Sequence, residues 1–240
     1  MSGSEVLGRV LDLLLPLECA GCGLPRHSMC SRCRARFGPA RRCEQDAPQL
    51  RGASGAELAT WTLADYSGSV RRLVLGWKSG RRPDLATPVC SLATSAAAAL
   101  APLLADSDTP SARPVLVVPA PSGRSRRRRG RFVVADLADA FARGLALAGR
   151  QVAVADVLRR VGTSDHHLNA AARSTERMRH IQSLVAVPGT VMTLLVDDVV
   201  TTGATLAACA TKLTVSGADV VGAFTLAATA PPGSRSLGSQ

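Results

Sequence analysis

Two adjacent acids, Asp197 and Asp198, close an apolar run and are followed at once by a stretch rich in Thr and Gly, TLLVDDVVTTGATL over residues 193–206. The apolar run reads as a buried strand and the Ala-rich stretch after it as a helix. In a parallel α/β sheet such a strand ends at the carboxyl edge, where ligands bind. The helix that starts there leaves backbone N–H groups free and points the positive end of its dipole at the loop, which makes an anion site. Gly203 lets the backbone approach the anion without a Cβ. Thr201, Thr202 and Thr205 add hydroxyl donors, and Ala204 completes the loop. Carboxylates repel a phosphate, so the acids need a neutral partner rich in donors, and the two vicinal hydroxyls of a ribose fit. These residues therefore predict a ribose 5-phosphate site, with the phosphate in the 201–205 loop and the hydroxyls at Asp197 and Asp198. The plainer alternative makes Asp198 a helix cap and Thr-Thr-Gly an ordinary turn.

A second group can do chemistry of another kind. CAGCGLPRHSMCSRC spaces Cys19, Cys22, Cys30 and Cys33 as C-x2-C-x7-C-x2-C. Each C-x-x-C turn can bring two thiolates to one metal, and two turns complete a tetrahedral S4 site that favours zinc or iron. With all four positions filled by protein, no water is left to activate, so the role is structural, and metal binding would drive the folding of a segment too small for its own core. Disulfides or idle thiols are the alternatives; paired spacing and a reducing compartment argue against both. His27 inside the cluster offers a substitute ligand. Cys43 has no partner nearby in sequence, and Cys90 and Cys209 sit in Ala-rich helical patterns as core residues.

These groups need elements to hold them. Residues 1–58 are dense in Cys, Arg, Gly and Pro, and residues 59–230 are rich in Ala, Val and Leu. Between the Cys cluster and the larger part, the polar, punctuated residues 38–58 read as a linker. Residues 231–240 read as a disordered tail. Val6, Leu7, Val10, Leu11 and Leu14 give a short amphipathic helix over 5–15. In the larger part, strands are expected over 59–66, 113–121, 191–198 and 218–228. Helices are expected over 69–78, 87–105, 133–149 and 204–217, with Gly149 and Gly217 closing the last two. Continuous apolar strands alternating with helices give an α/β fold with a parallel sheet, preceded by a small N-terminal zinc-binding segment.

Bulk properties narrow the class. The net charge of +11 suits anionic partners. Lys78 and Lys212 are the only lysines in a chain rich in Arg and Ala, so a coding bias accounts for part of that excess equally well. The apolar run SLATSAAAALAPLLA reads as too short and too Ala-rich for a membrane span, so no membrane insertion is expected. The N-terminus carries Glu5, Arg9 and Asp12, which interrupts any signal-peptide pattern, and a cytoplasmic location is the expectation.

All thirteen positions of TLLVDDVVTTGAT fit the signature of the type I phosphoribosyltransferases, which bind phosphoribosyl pyrophosphate. With the four-Cys cluster in front, nearly the whole chain resembles the ComF family, a zinc-finger-like segment joined to a phosphoribosyltransferase-like domain and linked to competence and DNA uptake. ADYSGSVRRLVLGWKSGRRPDLATP (with Tyr66, Lys78 and Gly80), VLVVPAPSGRSRRRRG and SDHHLNAAAR carry the same resemblance. It implies that Asp197 and Asp198 are the catalytic, ribose-holding acids and that Thr201, Thr202, Gly203, Ala204 and Thr205 hold the 5-phosphate. It places the pyrophosphate at the turn after the strand, with Pro119, Ala120, Arg124 and Arg126. Mg2+ accompanies the pyrophosphate, and residues 158–180 correspond to a loop that closes over the substrate. The ligand implied is phosphoribosyl pyrophosphate or a nucleoside monophosphate. The chain departs from the family in lacking a second pair of C-x-x-C turns, in reading RFVV after Arg129 and Gly130, and in carrying His166 after Asp165. Two readings stay open: transfer of a phosphoribosyl group to a nitrogen acceptor, or a non-catalytic competence accessory that binds single-stranded DNA or a protein partner. Six arginines in SGRSRRRRGR exceed what one pyrophosphate needs; the surplus serves nucleic acid or solvent.

Overall fold

The computed structural model describes residues 17–50, 57–104, 113–121, 133–161 and 181–230. The expected helix over 5–15, the arginine run and its Arg124 and Arg126, most of residues 158–180 and the tail lie outside them. Eight strands are present among the described residues: β1 (Arg41–Arg42), β2 (Thr60–Asp65), β3 (Val115–Pro119), β4 (Val152–Val154), β5 (Leu158–Arg160), β6 (Ile181–Ser183), β7 (Met192–Val200) and β8 (Asp219–Ala228). The helices are α1 (Ser31–Arg34), α2 (Gly68–Ser79), α3 (Ala86–Leu100), α4 (Val133–Leu147) and α5 (Ala204–Val215).

Six strands form one sheet in the order β1-β2-β8-β7-β3-β4, parallel throughout except for β1, and β5 and β6 make a separate antiparallel pair. The central strands β7 and β8 are near-continuous runs of Val, Leu, Ala and Phe because both faces of the sheet are covered. On one face, α2, α3 and α4 pack in a single core with Phe141 of α4 tilted against Phe224 of β8, ring centroids 4.5 Å apart. On the other face, Leu206, Cys209 and Leu213 of α5 close over Leu195 and Ala223 together with Leu158 and Ile181 of the small hairpin.

Small residues make the helix layer thin. A Cβ on Gly144 of α4 would lie 2.1 Å from the Thr94 carbonyl oxygen of α3, so the two helices approach to backbone contact. The helical span Pro83–Leu104 is 22 residues long with mean hydropathy 1.5, which by length and composition is enough to cross a membrane. The shorter apolar run taken from the sequence missed this because the turns at each end extend it. Its Val89, Leu92, Ala93, Ala97 and Leu100 are buried in the core it shares with α4.

Two expectations are revised. β7 does not stop at the acids: Val199 and Val200 go on pairing with Ala227 and Ala228, because β8 is equally long and apolar. The stretch expected as a linker contributes structure, since Arg41 and Arg42 pair with Thr62 and Trp61 as β1, followed by two short turns over Glu44–Asp46 and Pro48–Leu50.

Candidate functional site

The sheet has one reversal of strand order. From β3 the chain moves to its neighbour β4 on one side, and from β7 to its neighbour β8 on the other. The helices that follow, α4 and α5, therefore lie on opposite faces, the arrangement in which open α/β sheets bind ligands outside the carboxyl ends of the strands. The expected site residues that the structure describes converge on that edge. Pro119 pairs with Val196, and the Ala120 N–H donates to the Val196 carbonyl at 2.8 Å, which places the buried end of β3 directly beside the acids.

The acids do not point the same way. Successive side chains of a strand alternate between faces. Asp198 turns toward the α2 side, where its Oδ2 forms an ion pair with the Lys78 ammonium. Its Oδ1 accepts the Val199 N–H at 2.9 Å, and its side chain is only 2% exposed. Asp197 accepts the Asp198 N–H at 2.8 Å through its Oδ1 and lies on the α5 side, where its charge is felt by the buried Cys209. Burial, and then the neighbouring Asp198, push the Asp197 carboxyl up to about 8, against the opposing pull of Lys78. Asp197 thus holds its proton more tightly than an ordinary carboxyl, beside the Asp198–Lys78 ion pair.

The 201–205 loop leads straight into α5. Thr201 and Thr202 are exposed, Thr205 is half-buried, and Gly203 and Ala204 are buried. Gly203 occupies the N-cap position with φ of 83°, and no side chain caps it. The Ala204 N–H makes a long contact of 3.4 Å to the Thr202 hydroxyl. A donor-rich, uncapped helix start with two exposed hydroxyls is what an anion needs. Gly203 has a second reason to be glycine. A Cβ there would lie 2.5 Å from Leu50 Cγ, and the Gln49 N–H donates to the Thr202 carbonyl at 3.0 Å. The Pro48–Leu50 turn therefore straps the loop from outside, and no sequence pattern announced it. Lys78 likewise appears in the sequence only as part of a resemblance; its rarity in an Arg-rich chain was the one signal of a special place.

The four cysteines come together as their spacing predicts. The Sγ atoms of Cys19, Cys22, Cys30 and Cys33 lie within 4.8 Å of one another, so the cluster can hold a metal ion such as zinc. A tetrahedral site with Zn–S of about 2.3 Å requires S···S separations of about 3.8 Å, and Cys22 and Cys30 are 3.6 Å apart. Burial alone would push the Cys19 thiol up, but N–H groups of Cys30, Gly21 and Cys22 aimed at it bring it down to about 6. Burial also raises the Cys33 thiol, aided by hydrogen bonds with the other cysteines. His27 is exposed and outside the group. Cys43 belongs to the opposite face, in the core beside Leu50, where burial raises its thiol to about 12. Cys209 is core as expected, and Cys90 is half-buried with its thiol directed at the Asp136 carbonyl. The cluster is not a separate bead. Cys19, Cys30 and Cys33 share a core with Val70, Leu73 and Trp77 of α2, and Arg72 donates to the Gly21 carbonyl at 2.7 Å.

No family model matches the chain, and no curated protein matches it. Among solved structures, it is similar to a hypoxanthine phosphoribosyltransferase from Staphylococcus aureus, with 13% identity and a TM-score of 0.35 over 65% of this chain and 68% of that one.

Proposed function

We propose that the chain is a phosphoribosyltransferase-like protein of ComF type that binds phosphoribosyl pyrophosphate or a related ribose 5-phosphate at the carboxyl end of β7. One observation carries this reading: the acid pair and the uncapped Thr-Gly loop meet at the point where strand order reverses. Thr201, Thr202, Gly203, Ala204 and Thr205 take the 5-phosphate through backbone N–H groups and hydroxyls. Asp197 and Asp198 take the ribose hydroxyls, Pro119 and Ala120 line the side where the pyrophosphate would lie, and Arg124 and Arg126, which lie outside the described residues, would pair with its charge. Mg2+, when bound with the ligand, would neutralise the pyrophosphate as a leaving group. The protein's contribution is positioning and electrostatics: it fixes the ribose by its hydroxyls and phosphate while a nitrogen acceptor attacks C1, with no covalent nucleophile of its own.

The Cys cluster would hold a structural Zn2+ and fasten the N-terminal segment to α2. A second reading has an observation of its own. Arg26, Arg32, Arg34 and Arg36 around the Cys cluster are all exposed, a basic group suited to single-stranded DNA or an acidic competence-machinery protein. Stacking aromatics, which single-strand binding usually employs, are scarce among the described residues: Trp77 is buried and Trp61 is covered by Arg42. A thermal-shift panel of phosphorylated ribose compounds with Mg2+ tests the first reading, because a ligand of the folded state raises the melting point. A shift with phosphoribosyl pyrophosphate or ribose 5-phosphate but not with ribose supports it; no shift with any member of the panel refutes it.

A further inference from the structure

We propose that Lys78 is a positioning residue of the candidate site, acting through Asp198 to hold the acidic pair in the state that accepts a vicinal diol. The inference rests on the ribose 5-phosphate reading and adds to it a residue from a distant element. Its basis is geometric. Asp198 is almost wholly buried, one oxygen is fixed by the Val199 N–H, and the other faces the Lys78 ammonium. Two carboxylates on neighbouring positions, Asp198 buried and Asp197 half-buried, stay charged together only at a high cost unless a cation is close by. Among the described residues, the charged or titratable groups that face them include Lys78 from α2, and from the opposite face Cys209 of α5, which also senses Arg160 of β5. Lys78 pairs directly with Asp198.

The ammonium is presented from a rigid support. Lys78 sits in the last turn of α2, which ends at Gly80 in the left-handed region with φ of 68°. Val74 and Trp77 beside it are buried, and Arg72 one and a half turns earlier is tied to the Cys cluster. A lysine holds one carboxylate oxygen as a point charge, whereas the planar fork of an arginine tends to grip both. Without the ammonium, the pair can relieve the unpaired buried charge of Asp198 only by Asp197 holding its proton to higher pH or by Asp198 swinging away. Either change removes an acceptor that a diol needs. Lys78 also pulls the Asp197 carboxyl down, so its loss must raise that group further.

The test uses the full chain as wild type, Lys78→Met and Lys78→Arg. Calorimetry with ribose 5-phosphate is run from about pH 6 to about pH 9, alongside a carbon-13 titration of the aspartate carboxyls. Loss of the charge-assisted contacts to the diol is expected to weaken binding by Lys78→Met about tenfold or more at neutral pH, with the Asp197 titration moved upward. Lys78→Arg keeps the charge and is expected to restore most of the affinity and a wild-type-like titration. An Asp197 titration unmoved in Lys78→Met overturns the proposal. So does Lys78→Arg binding as weakly as Lys78→Met with the titration at its wild-type position, which would make the lysine a direct ligand contact. If Lys78→Met does not fold, Asp198→Asn takes its place: it must bring the Asp197 titration down, and an unmoved titration again overturns the proposal. A wild-type protein that does not bind ribose 5-phosphate refutes the underlying reading, and the titration arm still decides separately whether Lys78 governs the pair.

Discussion

Replacing Gly203 by alanine perturbs the junction of the N-terminal strap and the 201–205 loop, and the cost can be worked from two sources. With φ of 83°, any side chain at this position incurs the left-handed penalty, about 1–2 kcal/mol for a non-glycine residue. The new Cβ also meets Leu50 Cγ at 2.5 Å and Cδ2 at 2.8 Å, with the Leu50 backbone N at 3.0 Å. Leu50 is only 1% exposed, so overpacking adds about 1–3 kcal/mol. Gly203→Ala should therefore lose about 2–5 kcal/mol in urea denaturation, the sum of the two terms. Leu50→Ala alone leaves a cavity and should lose about 2–5 kcal/mol. In the double variant the clash with Cγ and Cδ2 is gone while the left-handed penalty stays, so its loss should fall short of the sum by about 1 kcal/mol or more. Losses that add within about 0.5 kcal/mol would show that the two residues do not touch and would refute the strap.

Cys30→Ser should lose bound metal and stability together, read by metal analysis of protein purified without chelator; full metal content with unchanged stability would sink the S4 site. Gly144→Ala forces α3 and α4 apart at a 2.1 Å approach, and should cost about 1–3 kcal/mol or more by thermal denaturation, with no change in metal content. Asp197 has a folded value near 8 against an ordinary 3.8. The folded chain then keeps a proton that the unfolded chain has lost, so this group's contribution to stability is full at pH below 3.8 and is lost as pH rises to about 8. Asp197→Asn should flatten the fall in urea midpoint across that window, and an unchanged slope would contradict the buried-pair geometry.

The parallel sheet, the helices that cover it and the strand-acid-loop-helix order of the site were legible because each is a local pattern. Apolar runs such as VMTLLVDD and the punctuation at Gly149 and Gly217 mark elements without reference to the rest of the chain. The Cys spacing was legible for the same reason, since a C-x-x-C turn sets its own geometry. What escaped depends on contacts between distant residues. Val199 and Val200 continue β7 because β8, some twenty residues later, offers Ala227 and Ala228 as partners. Arg41 and Arg42 look like linker residues until β2 is there to pair with them. The Lys78–Asp198 pair spans 120 positions, and the Leu50–Gly203 contact spans 153. Periodicity cannot encode either one, yet together they decide how the acids and the loop are held.

The central claim is that the acids at the end of β7 bind a ribose 5-phosphate compound. Titration calorimetry of ribose 5-phosphate against the wild type and the Asp197→Asn, Asp198→Asn double variant tests it most directly. Hydrogen bonds to charged groups contribute about 1.5–3 kcal/mol each, so the double variant should bind at least about tenfold more weakly while remaining folded. Equal affinity of the two proteins would contradict the account.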